Sequence, residues 1–469
     1  MQDLRTFLDQ LGSSLMRIEE PVDPIRQAGV ISSEARGPIM LENLKGFPGW
    51  RLADILVSNR NSQAVALGTT PDNVVQSLAE KLFRVGPGEV RTVTDGPCKE
   101  VKILGSDVDI RKVPIPIHSV GDGGRYLGSG ITITKDPDTG VRNEAIIRTQ
   151  LWDSRPDHVS FWMAARHNWA HYEKYCARGE KMPMAFAIGL HPAYEIVANY
   201  SGAHPDYDEL ALGAGILGEP IEMVKCETID LEVPAHAEVV IEGLVPPDVR
   251  EPEGPFGEFT GFHGGKVGTA PVMEVTGITH RSNPIFRHIQ ATVYTDHQAL
   301  VALPMEAALY ERLKDVQGGT AIHDVHVPSY AALFTAFVKM TPRWDGQAMA
   351  VGLAALSSVN LHPKVVVLVD EDVDIYDPRD VWWAVTQRMN PQLDVHVIPN
   401  QRIHPLDQSV PTTGDEVTVM RVGGKMIIDA TMPPTSRAKA RAAFTRVHPS
   451  GYGDDSLNAI LDRVRAHVL

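Results

Sequence analysis

Glu251-Pro252-Glu253-Gly254-Pro255-Phe256-Gly257-Glu258-Phe259-Thr260-Gly261 is the stretch on which the reading of this chain turns. It cannot be a helix interior, because Pro255 has no amide donor and glycine resists the helical backbone. It reads instead as a tight loop that folds back and brings Glu253 and Glu258 together. Two neighbouring carboxylates cannot both ionise cheaply, so one of them retains a proton toward neutral pH. A retained proton is what a general acid needs. Ordinary surface turns use the same residues, so the stretch alone leaves a turn and a catalytic loop both open.

Outward from the loop, residues 125–300 read mainly as β-structure. Strand patterns stand at 132–134, 145–149, 185–188, 237–242 and 273–279, interrupted by a helix over 160–177. Before this region the pattern is α/β, with helices over 2–11 and 71–84 and strands at 15–18, 38–44 and 52–58. Val113-Pro114-Ile115-Pro116-Ile117 is no central strand, because proline breaks the ladder. After residue 303 helices at 304–315, 345–357 and 378–389 alternate with strands at 322–327, 364–369 and 394–397. Val365 to Val369 is continuously apolar, as a strand buried on both faces must be. Two helices, 435–444 and 455–467, form a polar tail placed to pack on a partner subunit.

The chain has 469 residues, 43% of them hydrophobic and 22% charged, which is the composition of a globular protein of about three domains. A net charge of −15 argues against nucleic acid or an anionic membrane as partner. No apolar run reaches the ~18 residues of a membrane span, and the N-terminus has no signal-like apolar region. Cys98, Cys176 and Cys226 are scattered, which fits a reducing cytoplasm and no zinc–thiolate site.

Further motifs flank the acidic loop: Asn143-Glu144-Ala145-Ile146-Ile147-Arg148, Arg166-His167-Asn168-Trp169, Asp208-Glu209-Leu210, the run Val224 to Ala235, Leu368 to Asp374, and Gly424 to Thr431. Together with Glu253 to Glu258, and in this order, they resemble the UbiD family of decarboxylases, which use prenylated flavin mononucleotide (FMN). The resemblance runs from about Leu4 to about Pro433. It implies an α/β (α+β) fold in three parts: an N-terminal α/β domain over 1–110, a central split β-barrel that binds the flavin over 111–302, and a C-terminal α/β oligomerisation domain with a helical tail over 303–469. It implies a reversible, non-oxidative carboxy-lyase acting on an aromatic, heteroaromatic or α,β-unsaturated acid, with CO2 as co-product. Its catalytic set would be Arg148, Glu253 and Glu258. Arg148 would hold the substrate carboxylate, Glu258 donate the proton and Glu253 tune it; the sequence by itself treats the two glutamates alike. Asn143, His167 and Glu209 would hold a divalent ion, manganese or magnesium, against the cofactor phosphate, with potassium as a further candidate ion. Ile147, Arg148, Arg166 and Lys364 complete the expected cofactor contacts, Lys364 at the phosphate. A flavin prenyltransferase would supply the cofactor, and the protein would be a cytoplasmic homodimer or larger homo-oligomer.

Each residue also has a plainer reading. Arg148 beside Ile146 and Ile147 fits a structural ion pair as well as a carboxylate clamp. His167 and His171 stand four apart on a helix, a spacing able to chelate a metal, yet His-Asn-Trp-Ala-His lacks the glutamate of a zinc hydrolase, and His171 reads as a packing residue. Lys364 fits a solvated strand edge. Gly213-Ala214-Gly215-Ile216-Leu217-Gly218 satisfies the dinucleotide pattern without a preceding apolar strand. Asp370, Asp372 and Asp374 read as a solvated turn. Two other functions compete: a non-catalytic flavin-binding protein, which would not need Arg148, Glu253 and Glu258, and a metal-dependent hydrolase built on His167 and His171. Arg166, His288 and His297 point to a polar pocket for an aromatic acid with a second polar group.

Overall fold

The N-terminal helix Leu4–Leu11 starts at a reciprocal cap, in which the Thr6 amide donates to Asp3 Oδ1 at 2.9 Å and the Asp3 amide to Thr6 Oγ1 at 2.8 Å. Leu4, Phe7, Leu8 and Leu11 are all buried, the single apolar face that the sequence predicts. The structure is a computed structural model; it describes residues 3–467 except 164–165, 201–207, 265–267, 318, 320, 359–362, 411–420, 448 and 451–454.

Strands Met16–Ile18, Ile39–Leu41 and Arg51–Asp54 form a small sheet whose fourth strand, Ile285–Arg287, returns from the central region to lie parallel to Arg51–Asp54. The strand expected over 52–58 ends at Asp54. Its carboxylate accepts the Ile55 amide at 2.7 Å, and the Leu56 and Val57 amides turn to Asp296. A helix the sequence reading missed, Arg60–Leu67, follows it, capped by Asn59.

The central sheet has ten strands. Its path runs Arg125–Leu127, Thr149–Trp152, Arg155–Phe161, Gly268–His280, Val239–Val245, Met182–Ile188, Ile131–Lys135, Arg142–Ile146. Val101–Leu104 and Arg250–Glu253 add to the long strand Gly268–His280. The outermost strands do not pair with one another among the described residues, so the barrel is split and not closed. One expected strand, 145–149, is two strands joined by Ile147 and Arg148. That link ties one end of the sheet path to the strand beside its other end, and it places Arg148 in the split. The helix expected over 160–177 covers only His167–Arg178; Ser160 and Phe161 pair with Gln150 and Thr149 instead, with Phe161 fully buried.

The C-terminal sheet orders Ala321–His326, Thr335–Thr341, Val365–Val369, Arg421–Ala430 and Val395–Ile403. Helix Asp296–Leu313 begins eight residues before the expected 304, passing through Pro304, because Asp296 is anchored by Arg287 and by two backbone amides. Leu300, Leu303 and Ala307 of this helix pack on the N-terminal core, and Met305, Leu309 and Leu313 on the C-terminal one. It is the beam between the two. No helix among the described residues is long and apolar enough to cross a membrane.

Candidate active site

The acidic loop leaves strand Arg250–Glu253 at Gly254, whose φ of 99° is glycine's territory, and the Gly254–Pro255 peptide is cis. The Gly254 amide donates to Gln150 Oε1 at 2.8 Å, and Pro255 O accepts the Gly123 amide at 2.8 Å. Asp122 accepts the Gly257 amide at 2.8 Å. At the far end the Glu258 amide donates to Phe262 O at 2.9 Å. A Cβ at Gly264 would stand 2.5 Å from Glu258 Cγ, so only glycine lets the hairpin close on that side chain.

This anchoring points both carboxylates at Arg148. Its Nε and Nη2 donate to Glu253 Oε1 and Oε2 at 3.1 and 2.9 Å, a forked pair, while Nη1 donates to Glu258 Oε1. Glu253 is 1% exposed and Glu258 9%, so the constellation is largely shielded from water. Burial pushes the Glu258 carboxyl above the usual range, with Arg148 opposing and Glu253 reinforcing the shift. Burial opposes the Arg148 cation, and Glu258 and Glu253 more than offset it, holding its pKa above the ordinary value. Phe256 and Trp162 lie under the guanidinium, 5.0 and 5.5 Å from ring centre to Cζ. Tyr126 completes the group, its hydroxyl 3.2 Å from Glu253 Oε1.

Asn143, His167 and Glu209 come from strand Arg142–Ile146 and from the first residues of helices His167–Arg178 and Glu209–Leu217. Asn143 Oδ1 lies 3.1 Å from His167 Nδ1. Glu209 accepts the Glu144 amide at 2.9 Å, and Glu144 accepts the Glu209 amide at the same distance. Burial and the neighbouring Asp208 and Glu209 raise the Glu144 carboxyl well above the usual range, and burial raises Glu209. Glu144 Oε1 is buried without a hydrogen-bond partner. An amide oxygen, an imidazole and a carboxylate beside this excess of buried acid fit a hard divalent cation such as Mn²⁺ or Mg²⁺. Half-buried Ile146 and Ile147 span the way from this group to Arg148.

The other expected residues are placed as follows. Arg166 is exposed at the N-terminus of its helix, and its charge reaches His404. Lys364 is bound to Asp407 at 2.9 Å and Ser409 at 3.0 Å and faces the Phe334 ring. His171 turns away from His167 to Thr134 Oγ1 at 2.9 Å, which leaves no shared chelate. His288 is fully buried, with Nε2 3.0 Å from Gln290 Oε1. His297 does face the loop, its ring 5.7 Å from Phe259. Asp370 is not a solvated turn residue: it is buried and paired with Arg441 at 2.6 Å, while Asp372 pairs with Arg388. Gly213 and Gly215 lie inside helix Glu209–Leu217, where Gly215 meets the Gly86 carbonyl. Sequence reasoning missed Tyr126, Asp122 and Gln150. Only Gln150 carries a signal, since it stands two residues from Arg148 in an extended segment and so shares its side.

Three family descriptions match the chain in order: the N-terminal domain of 3-octaprenyl-4-hydroxybenzoate carboxy-lyase over residues 10–82, its Rift-related domain over 91–293 and its C-terminal domain over 298–430. The chain belongs to the UbiD family. As a UbiD-family protein it is a carboxy-lyase, and two relatives that match more than nine-tenths of it are decarboxylases. Phenolic acid decarboxylase of Bacillus subtilis is 31% identical over 92% of this chain and 93% of its own. Anhydromevalonate phosphate decarboxylase of Methanosarcina mazei is 30% identical over 91% of this chain and 95% of its own. The UbiD-class enzyme HmfF from Pelotomaculum thermopropionicum, in complex with FMN, superposes with a TM-score of 0.87 at 32% identity over 97% of this chain and 98% of that one. An evolved dimeric form of HmfF in complex with prenylated FMN gives 0.84 at 31% identity, over 98% of this chain and 100% of that one.

Proposed function

We propose that this UbiD-family protein removes CO2 from an aromatic or heteroaromatic carboxylic acid, reversibly and without net oxidation, with prenylated FMN as cofactor. The observation that carries the proposal is one guanidinium shared by two buried glutamates on a single anchored loop. Arg148 has five N–H groups and spends three on Glu253 and Glu258, which leaves one on each terminal nitrogen to hold a substrate carboxylate. Glu258, whose carboxyl burial raises above the usual range, would be the acid. When R–CO2⁻ releases CO2, the electron pair of the broken C–C bond takes the Glu258 proton to give R–H. Glu258 is left as a carboxylate and recovers its proton from solvent. Prenylated FMN would supply the electron sink for the carbon that loses CO2, which no side chain at this site supplies. Asn143, His167 and Glu209 would hold Mn²⁺ or Mg²⁺, whose charge would seat the cofactor phosphate in an acidic protein. Ile147 and Arg166 would complete the cofactor contacts, and Lys364, ion-paired with Asp407, has the weaker claim on the phosphate.

The lean toward an aromatic substrate with a second polar group rests on the side of the loop facing the C-terminal region. There Phe259 packs with His297, Phe334 and His404 at ring separations of 5.7, 6.2 and 5.7 Å. Burial pushes both histidines down to about 4, so they are neutral imidazoles able to bond a hydroxyl or a second carboxyl. The cofactor would come from a flavin prenyltransferase, and the setting would be a cytoplasmic homodimer or larger homo-oligomer. The test is CO2 release from cinnamic, benzoic, pyrrole, furan and phenazine-type acids by protein co-expressed with a flavin prenyltransferase. Turnover of an aromatic or heteroaromatic acid by protein carrying prenylated FMN is expected. Full turnover by protein that mass spectrometry shows to lack it would refute the proposal, and cinnamic acid as the best substrate would overturn the pocket assignment.

A further inference from the structure

Glu253 and Glu258 are the same residue type on the same loop, so a proton given to one of them requires something outside the pair to break the tie. Arg148 begins to do so, with two N–H bonds to Glu253 and one to Glu258. The next donor is Tyr126 on strand Arg125–Leu127. Its ring is fully buried against Phe256, with centroids 4.5 Å apart. Its backbone is pinned at both ends, the amide donating to Pro116 O at 3.0 Å and the carbonyl lying 2.8 Å from His118 Nε2. The hydroxyl faces three acceptors: Gln150 Oε1 at 3.1 Å, Glu253 Oε1 at 3.2 Å and Pro255 O at 3.4 Å. The Gln150 oxygen is identified by the Gly254 amide that donates to it, since a turned amide would set N–H against N–H. A hydroxyl has one hydrogen to give, and an ionised acceptor makes the stronger bond. It goes to Glu253 whenever Glu253 is charged. Burial first, and then the Glu253 charge, hold the phenol in its protonated form, so Tyr126 gives a hydrogen bond and keeps its proton.

We infer that Tyr126 is the positioning residue that assigns the shared proton to Glu258, by stabilising the ionised form of Glu253. This rests on Glu258 being the donor in the proposed reaction. The other groups facing the pair are consistent with it. Asp122 accepts the Gly257 amide on one oxygen and the Ser119 amide on the other, each at 2.8 Å, and His263 lies 3.8 Å from it. His118, whose ring meets Phe256 at 5.8 Å, is kept neutral by burial and by His288.

The experiment is Tyr126→Phe in the holoenzyme, read by cofactor absorbance and by kcat against pH. The variant keeps the ring and its packing and loses one donor to a charged group. Cofactor content is expected to be unchanged and plateau kcat to fall about tenfold, as Glu253 takes a share of the proton. The alkaline limb is expected to move up by about one pH unit, because the pair as a whole now holds its proton more tightly. In a Glu253→Gln background the same change should move the limb no further. A limb that stays in place with intact cofactor reduces Tyr126 to a packing residue and overturns the inference. If the phenylalanine variant does not retain cofactor, 4-aminophenylalanine incorporated at position 126 tests the same claim with the shape kept. A weaker donor should move the limb up, and an unmoved limb again overturns it. Glu258→Gln is measured alongside. Activity retained there defeats the donor assignment itself, whereas an inactive Glu258→Gln with an unmoved Tyr126→Phe profile defeats only the role of Tyr126.

Discussion

Arg148 offers Glu253 a fork and Glu258 a single bond, and burial adds to that inequality by raising the Glu258 carboxyl above its usual range. With Glu258 as the proposed proton donor, its acid form would be the active one, and that form is lost as pH rises through its raised pKa. The rate should therefore fall on the alkaline side, at a pH above the ~4.3 of an ordinary glutamate. Glu258→Gln keeps the shape of the side chain and the Gly264 contact, so it should fold. It should lose about 10²–10⁴ in kcat, the usual worth of a general acid. A rate within threefold of wild type would contradict the role. At this scale the sequence was informative about the loop, because proline and glycine constrain the backbone wherever they stand. It was silent about Tyr126, because a tyrosine in a buried strand has the same local pattern whether its hydroxyl meets a carboxylate or a carbonyl.

The split in the central sheet is made by two residues. Ile147 and Arg148 interrupt what looked like one strand, since apolar residues run through 145–147 and alternation gives no sign of a break. The helix over His167–Arg178 was legible, while its start was not, because the preceding strand ends in residues whose partners are far away in sequence. Asn143, His167 and Glu209 stand on strand Arg142–Ile146 and at the starts of helices His167–Arg178 and Glu209–Leu217, so no spacing rule could have gathered them. The ion-site proposal predicts that His167→Ala and Glu209→Ala lose bound metal and flavin together, measured by elemental analysis and absorbance. Each removes one ligand of an ion that would counter the phosphate. Stoichiometric flavin in a metal-free Glu209→Ala protein would contradict the bridge.

Across the molecule, a buried ionic cluster joins the N-terminal sheet to the beam helix. Arg287 holds Glu195 at 2.9 Å, Asp296 at 2.7 Å and Asp54 at 3.5 Å, all essentially without exposure. One cation among three buried carboxylates leaves excess negative charge. Burial, opposed by Arg287, lifts Asp54 to about 6, and burial raises Glu195 and Asp296 as well. A carboxylate whose folded pKa is raised contributes stability that is fully present below its unfolded value of about 4 and is lost as pH rises through its folded value. Asp54→Asn should therefore flatten the fall in thermal midpoint between about pH 4 and pH 6. An equal slope in both proteins would show that Asp54 does not carry the proton. The three-part order of the fold was legible from periodicity alone. The sharing of strands between parts was not: Ile285–Arg287 pairs far back in the N-terminal sheet, and Val101–Leu104 forward into the central one.

The most direct test of the whole account follows the proton. The holoenzyme is incubated with its decarboxylated product in D₂O, and deuterium is read at the carbon that had carried the carboxyl group, for wild type, Glu258→Gln and Glu253→Gln. Wild type should exchange, Glu258→Gln should lose exchange by about 10²–10⁴, and Glu253→Gln should retain it with an altered pH dependence. Wild-type exchange in Glu258→Gln with none in Glu253→Gln would reverse the two roles. Normal exchange in both would mean that the loop from Glu253 to Glu258 is only a turn.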